Sequence, residues 1–245
     1  MTDPYANRES YRSRVSGGDL SYFRVTVKET DLLIGACSPL EEIALEAVRE
    51  IRAAIEREIA IRPEFLSSFA PLPPLGKEPE PILRMLEAGR TAGTGPMAAV
   101  AGKVAASVGA ALHPYSKEVI VENGGDLFLV GEKPRTVAIA AGDSPLSMKL
   151  GLKVDPSGGI GVCASSGTYG HSLSFGKADA AVIVAADCAL ADAAATMLGN
   201  KCVTHSDLAP AVEWAAALPG IAGALAVMGD RMAAAGDLEL VRLAS

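Results

Sequence analysis

The sequence predicts an α+β fold in which helices pack on antiparallel sheets, and three observations carry that expectation. Short β-rich runs follow one another through tight turns. Helical stretches are inserted at intervals and do not alternate strictly with strands, which argues against a parallel βαβ arrangement. The 245 residues are 49% hydrophobic and 21% charged but only 4% aromatic, so alanine and glycine must fill the core by close backbone approach. This length allows residues 1–245 to form a single domain of two intimate lobes.

After a polar arm at residues 1–18, "YFRVTVKETDLLIGA" reads as two strands folded about a "KETD" turn. The clearest helix follows in "CSPLEEIALEAVREIRAAIEREIAI". Ser38 is the expected cap, Pro39 suits the first helical position, and Glu41 completes a Ser-x-x-Glu capping box. Ile43, Ala44, Ala47, Val48, Ile51 and Ile55 form its apolar stripe. Residues 63–81 contain six prolines and form a long excursion, either a lid over a site or an ordered surface strap. "TAGTGPMAAVAGKVAASVGAAL" is a glycine-rich turn leading into a helix, with Pro96 in its first turn; its N-terminal amides can face a phosphate. "KEVIVENGGDLFLVG" is a hairpin turning through Asn123, Gly124 and Gly125. Further strands are expected in "RTVAIAA", "MKLGLKV", "GIGVCAS" and "AAVIVAA". A helix in "VAADCALADAAATMLGNK" and a short one in "PAVEWAAAL" come next, and "GALAVMG" with "LELVRL" makes a closing hairpin.

The net charge of −7, with no stripe of Lys and Arg, argues against nucleic acid as a partner. Cys37, Cys163, Cys188 and Cys202 are widely spaced, with no C-x-x-C pair, and read as free thiols of a reducing compartment. Neither a signal peptide nor an apolar stretch of membrane-spanning length is apparent. The expectation is a cytoplasmic protein without a membrane partner, and a homodimer on symmetry grounds.

Three segments carry polar groups suited to chemistry. Asp192 and Thr196 lie four apart on a helix and so share a face. A carboxylate and a hydroxyl are hard oxygen donors, suited to magnesium. The alternative is structural: Asp192 in the first turn, favoured by the helix dipole, and Thr196 bonded back to a carbonyl. In "ENGGDL" the turn accounts for Asn123, Gly124 and Gly125, whereas Asp126 either bonds the turn or holds a ligand. "CASSGTYGHS" offers Ser165, Ser166, Gly167 and Thr168 after a strand, with His171 close behind. It is either a phosphate-contacting loop or an ordinary turn. His113 and His205 have no evident partners.

Taken together and in order, "VENGGDL", "ASSGTYGH" and "LADAAATML" resemble the ApbE-like superfamily, whose best-known members are magnesium-dependent FAD:protein FMN transferases. The resemblance spans roughly residues 90–200 and implies a T-fold-related α+β architecture, with the ligand in a cleft between lobes. It further implies that Asp192 and Thr196 hold magnesium with a backbone carbonyl near Ala98. Asn123, Gly124, Gly125 and Asp126 would border the flavin nucleotide. Ser166, Gly167 and His171 would lie by the nucleotide or the acceptor protein, and Asp192 and His171 are the catalytic candidates. This sequence departs from the pattern at Ala99, where the family has a lysine, at Val100, where it has a glycine, and in lacking a His-x-x-Asp-Pro segment. Two functions follow: magnesium-dependent FMN transfer or pyrophosphate hydrolysis on FAD or a related nucleotide, and non-catalytic binding of a flavin or nucleotide.

Overall fold

Where the chain can fold back through a tight turn, its β-rich runs become strands. The structure, a computed structural model, describes residues 18–166 and 176–243. The polar arm up to residue 17 lies outside the described residues.

β1 (Ser21–Val27) and β2 (Thr30–Ala36) pair in register. Their turn is only Lys28 and Glu29, with Lys28 at φ 52, so Thr30 and Asp31 belong to the strand and not to a four-residue turn. α1 (Glu41–Ile61) buries Ala44, Ala47, Val48, Ile51 and Ile55 of the expected stripe, with Ile43 half-buried at its edge. The expected capping box is absent: the helix starts after Leu40, and no side chain caps it. The proline-rich stretch contains a single helical turn, α2 (Glu64–Ser67), whose Phe65 is fully buried. The Arg62 guanidinium donates to Pro73 O at 2.8 Å, which ties the stretch down further. α3 (Glu80–Ala92) was not expected from the pattern; Pro81 stands in its first turn and Gly93, at φ 79, ends it.

A 3₁₀ turn (Pro96–Ala99) leads into α4 (Val100–Leu112), then come β3 (Val119–Asn123) and β4 (Asp126–Val130). Gly124 (φ 69) and Gly125 (φ 107) supply the left-handed pair that this two-residue hairpin needs. β5 (Arg135–Ala138), β6 (Leu150–Val154), β7 (Ile160–Ser165) and β8 (Ala180–Ala185) follow. α5 (Cys188–Lys201) and α6 (Leu208–Ala216) precede β9 (Ile221–Met228), β10 (Arg231–Gly236) and β11 (Glu239–Arg242). The closing hairpin differs from expectation. β9 pairs with β10, whereas the "LELVRL" strand β11 crosses to pair with β6.

Among the described residues all pairings are antiparallel. One sheet runs β1-β2-β3-β4-β7-β8-β9-β10 and a smaller one runs β11-β6-β5. Alternating side chains give the large sheet two apolar faces. One face packs Val121, Cys163, Ile183 and Ala224 against the helices. The other packs Ile120, Val162, Val184 and Leu225 against Ile139, Leu152 and Val154. The layers are therefore helix, sheet, sheet. Among the described residues no single helix is long and apolar enough to cross a membrane.

Candidate functional site

Strand register gathers the polar residues that sequence spacing keeps apart. Asn123 on β3 pairs with Asp126 on β4. The β4–β7 register, in which Leu127 faces Val162, carries on to set Asp126 beside Cys163. Directly opposed residues share a face, and Cys163 belongs to the helix-facing core. Asn123, Asp126 and Cys163 thus form a row at one end of the central strands, under the helices.

Above that row, α4 and α5 meet at minimal distance. Gly102 permits it: a Cβ there would collide with Cys188 O and lie 2.8 Å from Asp192 Cβ. Gly161 does the same from the sheet side, where a Cβ would fall 2.6 Å from Cys188 Cα. The contact places Asp192 at the start of α4. Its carboxylate accepts the Gly102 amide at 2.8 Å and so satisfies one of the amides that a helix leaves free in its first turn. Asn123 reaches the same turn, its side-chain amide donating to Ala101 O at 3.1 Å. The glycine turn and the alanine-rich helix therefore converge on the N-terminus of α4.

Asp192 does not lie in the first turn of its helix. That role belongs to Asp187, the N-cap of α5, which accepts the amides of Ala189 and Leu190. Thr196 lies one turn beyond Asp192, half-buried. Thr91 bonds back to Glu87 O at 2.9 Å; among the described residues no such bond is found for Thr196. The structural alternative for both residues is therefore not what the helix adopts. Ala98 sits in the 3₁₀ turn that packs against α5.

Burial sets the electrostatics where these residues meet. Burial pushes the Asp192 carboxyl up to about 7, against the lowering effect of the Gly102 and Ala101 amides. Asp126 is pushed well above the carboxylate range, first by burial and then by the charge of Asp192. Its Oδ1 accepts the Ala164 amide at 3.2 Å. Among the described residues neither acid has a Lys or Arg partner, while Asp31 and Glu118 elsewhere do. Two buried acids close together without a cation are costly when ionised.

Several neighbours escaped sequence reasoning. Glu122, almost fully buried, accepts the Gly125 amide at 2.9 Å and fixes the turn. Cys163 and Cys188, 25 residues apart, bring their sulfurs within 3.5 Å, and burial raises both thiols. Neither sequence spacing nor motif signals that meeting, which the β7–α5 packing alone creates. The Ser165 hydroxyl is buried, with no partner among the described residues. Ser166 closes the described part of its loop, whereas Gly167, Thr168 and His171 lie outside the described residues. Among the described residues no three His, Cys, Asp or Glu side chains cluster as a metal site. A cation here would need hydroxyl or carbonyl oxygens beside its carboxylate, as in the set Asp192, Thr196 and Ala98.

Comparison with known proteins gives a consistent outcome. A family model described as "AbpE bacteria" matches residues 12–232. A UPF0280 protein of Methanocella arvoryzae is 41% identical over 214 residues, covering 86% of this chain and 87% of its own length. A UPF0280 protein of Methanosarcina barkeri is 42% identical over 208 residues, 83% and 82% of the two chains. Among solved structures, the apo flavinyl transferase ApbE of Pseudomonas stutzeri aligns with a TM-score of 0.56 and 15% identity, over 88% of this chain and 94% of that one. An ApbE protein of Thermotoga maritima gives 0.56 and 13%, over 87% and 96%. At such identities the likeness is one of fold: mixed helices and antiparallel sheets in the ApbE arrangement.

Proposed function

This chain belongs to the family described as AbpE bacteria, and from that premise we propose that it binds a flavin nucleotide beside Asp126 and Asp192 and transfers the FMN half of FAD to a hydroxyl. The observation that carries the reading is the meeting of two buried carboxyls, the glycine turn and the N-terminus of α4 at one place. A solved protein of the same fold is named a flavinyl transferase, which supports flavin as the ligand class.

Magnesium is part of the proposal, and the donor set fits it. Asp192 gives one oxygen to Gly102 and has further lone pairs. The Thr196 hydroxyl and the Ala98 carbonyl are the remaining hard donors, and the uncompensated charge of the two acids suits a divalent ion. When bound, magnesium would offset negative charge on the pyrophosphate.

The protein's own groups have separate tasks. Gly102 fixes the Asp192 carboxylate, Asn123 and Glu122 fix the hairpin turn, and Gly124 and Gly125 let the nucleotide approach the backbone. In the step itself the acceptor oxygen bonds to the FMN phosphorus. The bond from that phosphorus to the bridging oxygen breaks, and AMP leaves with the electron pair. The hydroxyl proton passes to His171, which we assign as the base alongside the structural anchor Asp192. A protein hydroxyl yields an FMN-protein, and water yields free FMN.

Incubating the purified protein with FAD and magnesium and measuring AMP by chromatography tests this directly. AMP that depends on the ion and on Asp192 is the expected result; no AMP with any divalent ion or acceptor retires the catalytic reading. One observation favours the binding-only alternative. Ala99, where the family has lysine, is fully buried and brings no positive charge to the phosphates. Tight FAD binding without AMP is the result that selects it.

A further inference from the structure

α5 packs against both α3 and α6, and the three helices leave an open depression of about 280 Å³ at the end of α3. Arg90 and Thr91 enter it from the last turn of α3, Met197 and Lys201 from α5, and Trp214 from α6. Met197 and Lys201 lie four apart and share a face of α5. That face is turned about 100° from the one that carries Asp192 and Thr196. The polar groups lining the depression are donors. Arg90 brings a guanidinium, Lys201 an ammonium and Trp214 an indole N–H, while the Thr91 hydroxyl already donates to Glu87 O at 2.9 Å. No acid lines it, although acidic residues outnumber basic ones 29 to 22 in the chain. Cations near a helix end commonly answer its free carbonyls. Here Gly89 O already accepts the amides of Gly93 and Thr94. Among the described residues neither Arg90 nor Lys201 bonds a carbonyl or pairs with a carboxylate. Lys201 instead holds its ammonium 4.5 Å from the centre of the Trp214 ring.

We propose that this depression binds a small aromatic anion, with its carboxylate or phosphate held by Arg90 and Lys201 and its ring against Met197 and Trp214. A lining of donors alone calls for a ligand that accepts, and two full positive charges without a carboxylate call for one that is negative. The thioether of Met197 and the half-buried indole of Trp214 are the natural neighbours of an aromatic ring. The volume falls just below the range of about 300–1,000 Å³ that drug-sized ligands occupy, which limits the occupant to about one ring. Because the depression uses another face of α5, this binding does not depend on the flavin reading.

Trp214 is the only tryptophan of the chain, so its fluorescence reports on this place alone. Benzoate and phenyl phosphate are the probes, titrated at constant ionic strength beside benzamide, which lacks the charge, and inorganic phosphate, which lacks the ring. A saturable change with benzoate or phenyl phosphate, at a Kd of about 1 mM or below, is the expected result. Benzamide and inorganic phosphate should bind at least about tenfold more weakly. Arg90→Gln and Lys201→Gln change exposed side chains that the fold does not need, and each should weaken binding of the better probe by about tenfold. Asp192→Asn should leave it unchanged, which separates a failure here from a failure of the flavin reading. No saturation by either probe up to about 10 mM overturns the proposal. So does equal affinity for benzamide, or an affinity that neither substitution alters.

Discussion

Asp192 serves two demands that pull in opposite directions. It anchors the first turn of α4 through Gly102, yet burial makes its charge expensive and lifts its carboxyl from 3.8 to about 7. The folded state therefore holds a proton that the unfolded chain releases near 3.8. Between those values the folded state binds more protons, so stability falls as pH rises through the window and levels off above it. Asp126, shifted the same way, adds to the slope. In metal-free buffer, melting temperatures of the wild type should decline more steeply from about pH 4 to about pH 8 than those of Asp192→Asn. Parallel curves would contradict the buried-acid account. Asp192→Ala, which leaves the Gly102 amide unpaired, should cost about 1–3 kcal/mol in denaturant titrations, and Asn should recover most of it. Helical spacing alone made Asp192 and Thr196 legible as a pair. Asp126 was legible as a turn or ligand residue, but its meeting with Asp192, like the roles of Glu122 and the two cysteines, enters through sheet register and interhelical contact, which linear spacing does not encode.

The elements around the site depend on small residues at close approaches. Gly102→Ala would force α4 away from Cys188 and Asp192. We expect a loss of about 1–3 kcal/mol, the usual range for overpacking, together with loss of any flavin-induced rise in melting temperature. A variant of unchanged stability would mean that α4 and α5 have slack between them. Asp187→Ala should cost about 1 kcal/mol through the lost cap of α5, checked by the same titrations. Where turn chemistry is explicit, the sequence was a good guide: the Gly124–Gly125 hairpin and the stripe of α1 are as expected. α3 was hidden because the prolines before it read as a break, although Pro81 stands in a first turn, where proline is tolerated. β10 was hidden because Met-Ala-Ala-Ala-Gly has no β-branched or aromatic residue. Missing β10 then assigned its partner to β11, which joins the smaller sheet.

Consecutive strands with tight turns were enough to indicate antiparallel α+β, and among the described residues every pairing follows it. The layering was not legible, because both faces of the large sheet are apolar and periodicity does not say which takes helices and which takes strands. That layering is what puts α4 and α5 over the ends of β3, β4 and β7, and so brings the candidate residues from 123 to 192 together. On the reading proposed above, a divalent ion and a flavin nucleotide bind together at this place. Calorimetric titration of FAD into the wild type and Asp192→Asn, each with and without magnesium, tests it most directly. Binding by the wild type that strengthens at least about tenfold with magnesium, and an Asn variant indifferent to the ion, is the predicted result. No heat from the wild type under either condition, or equal magnesium dependence in both proteins, would contradict it.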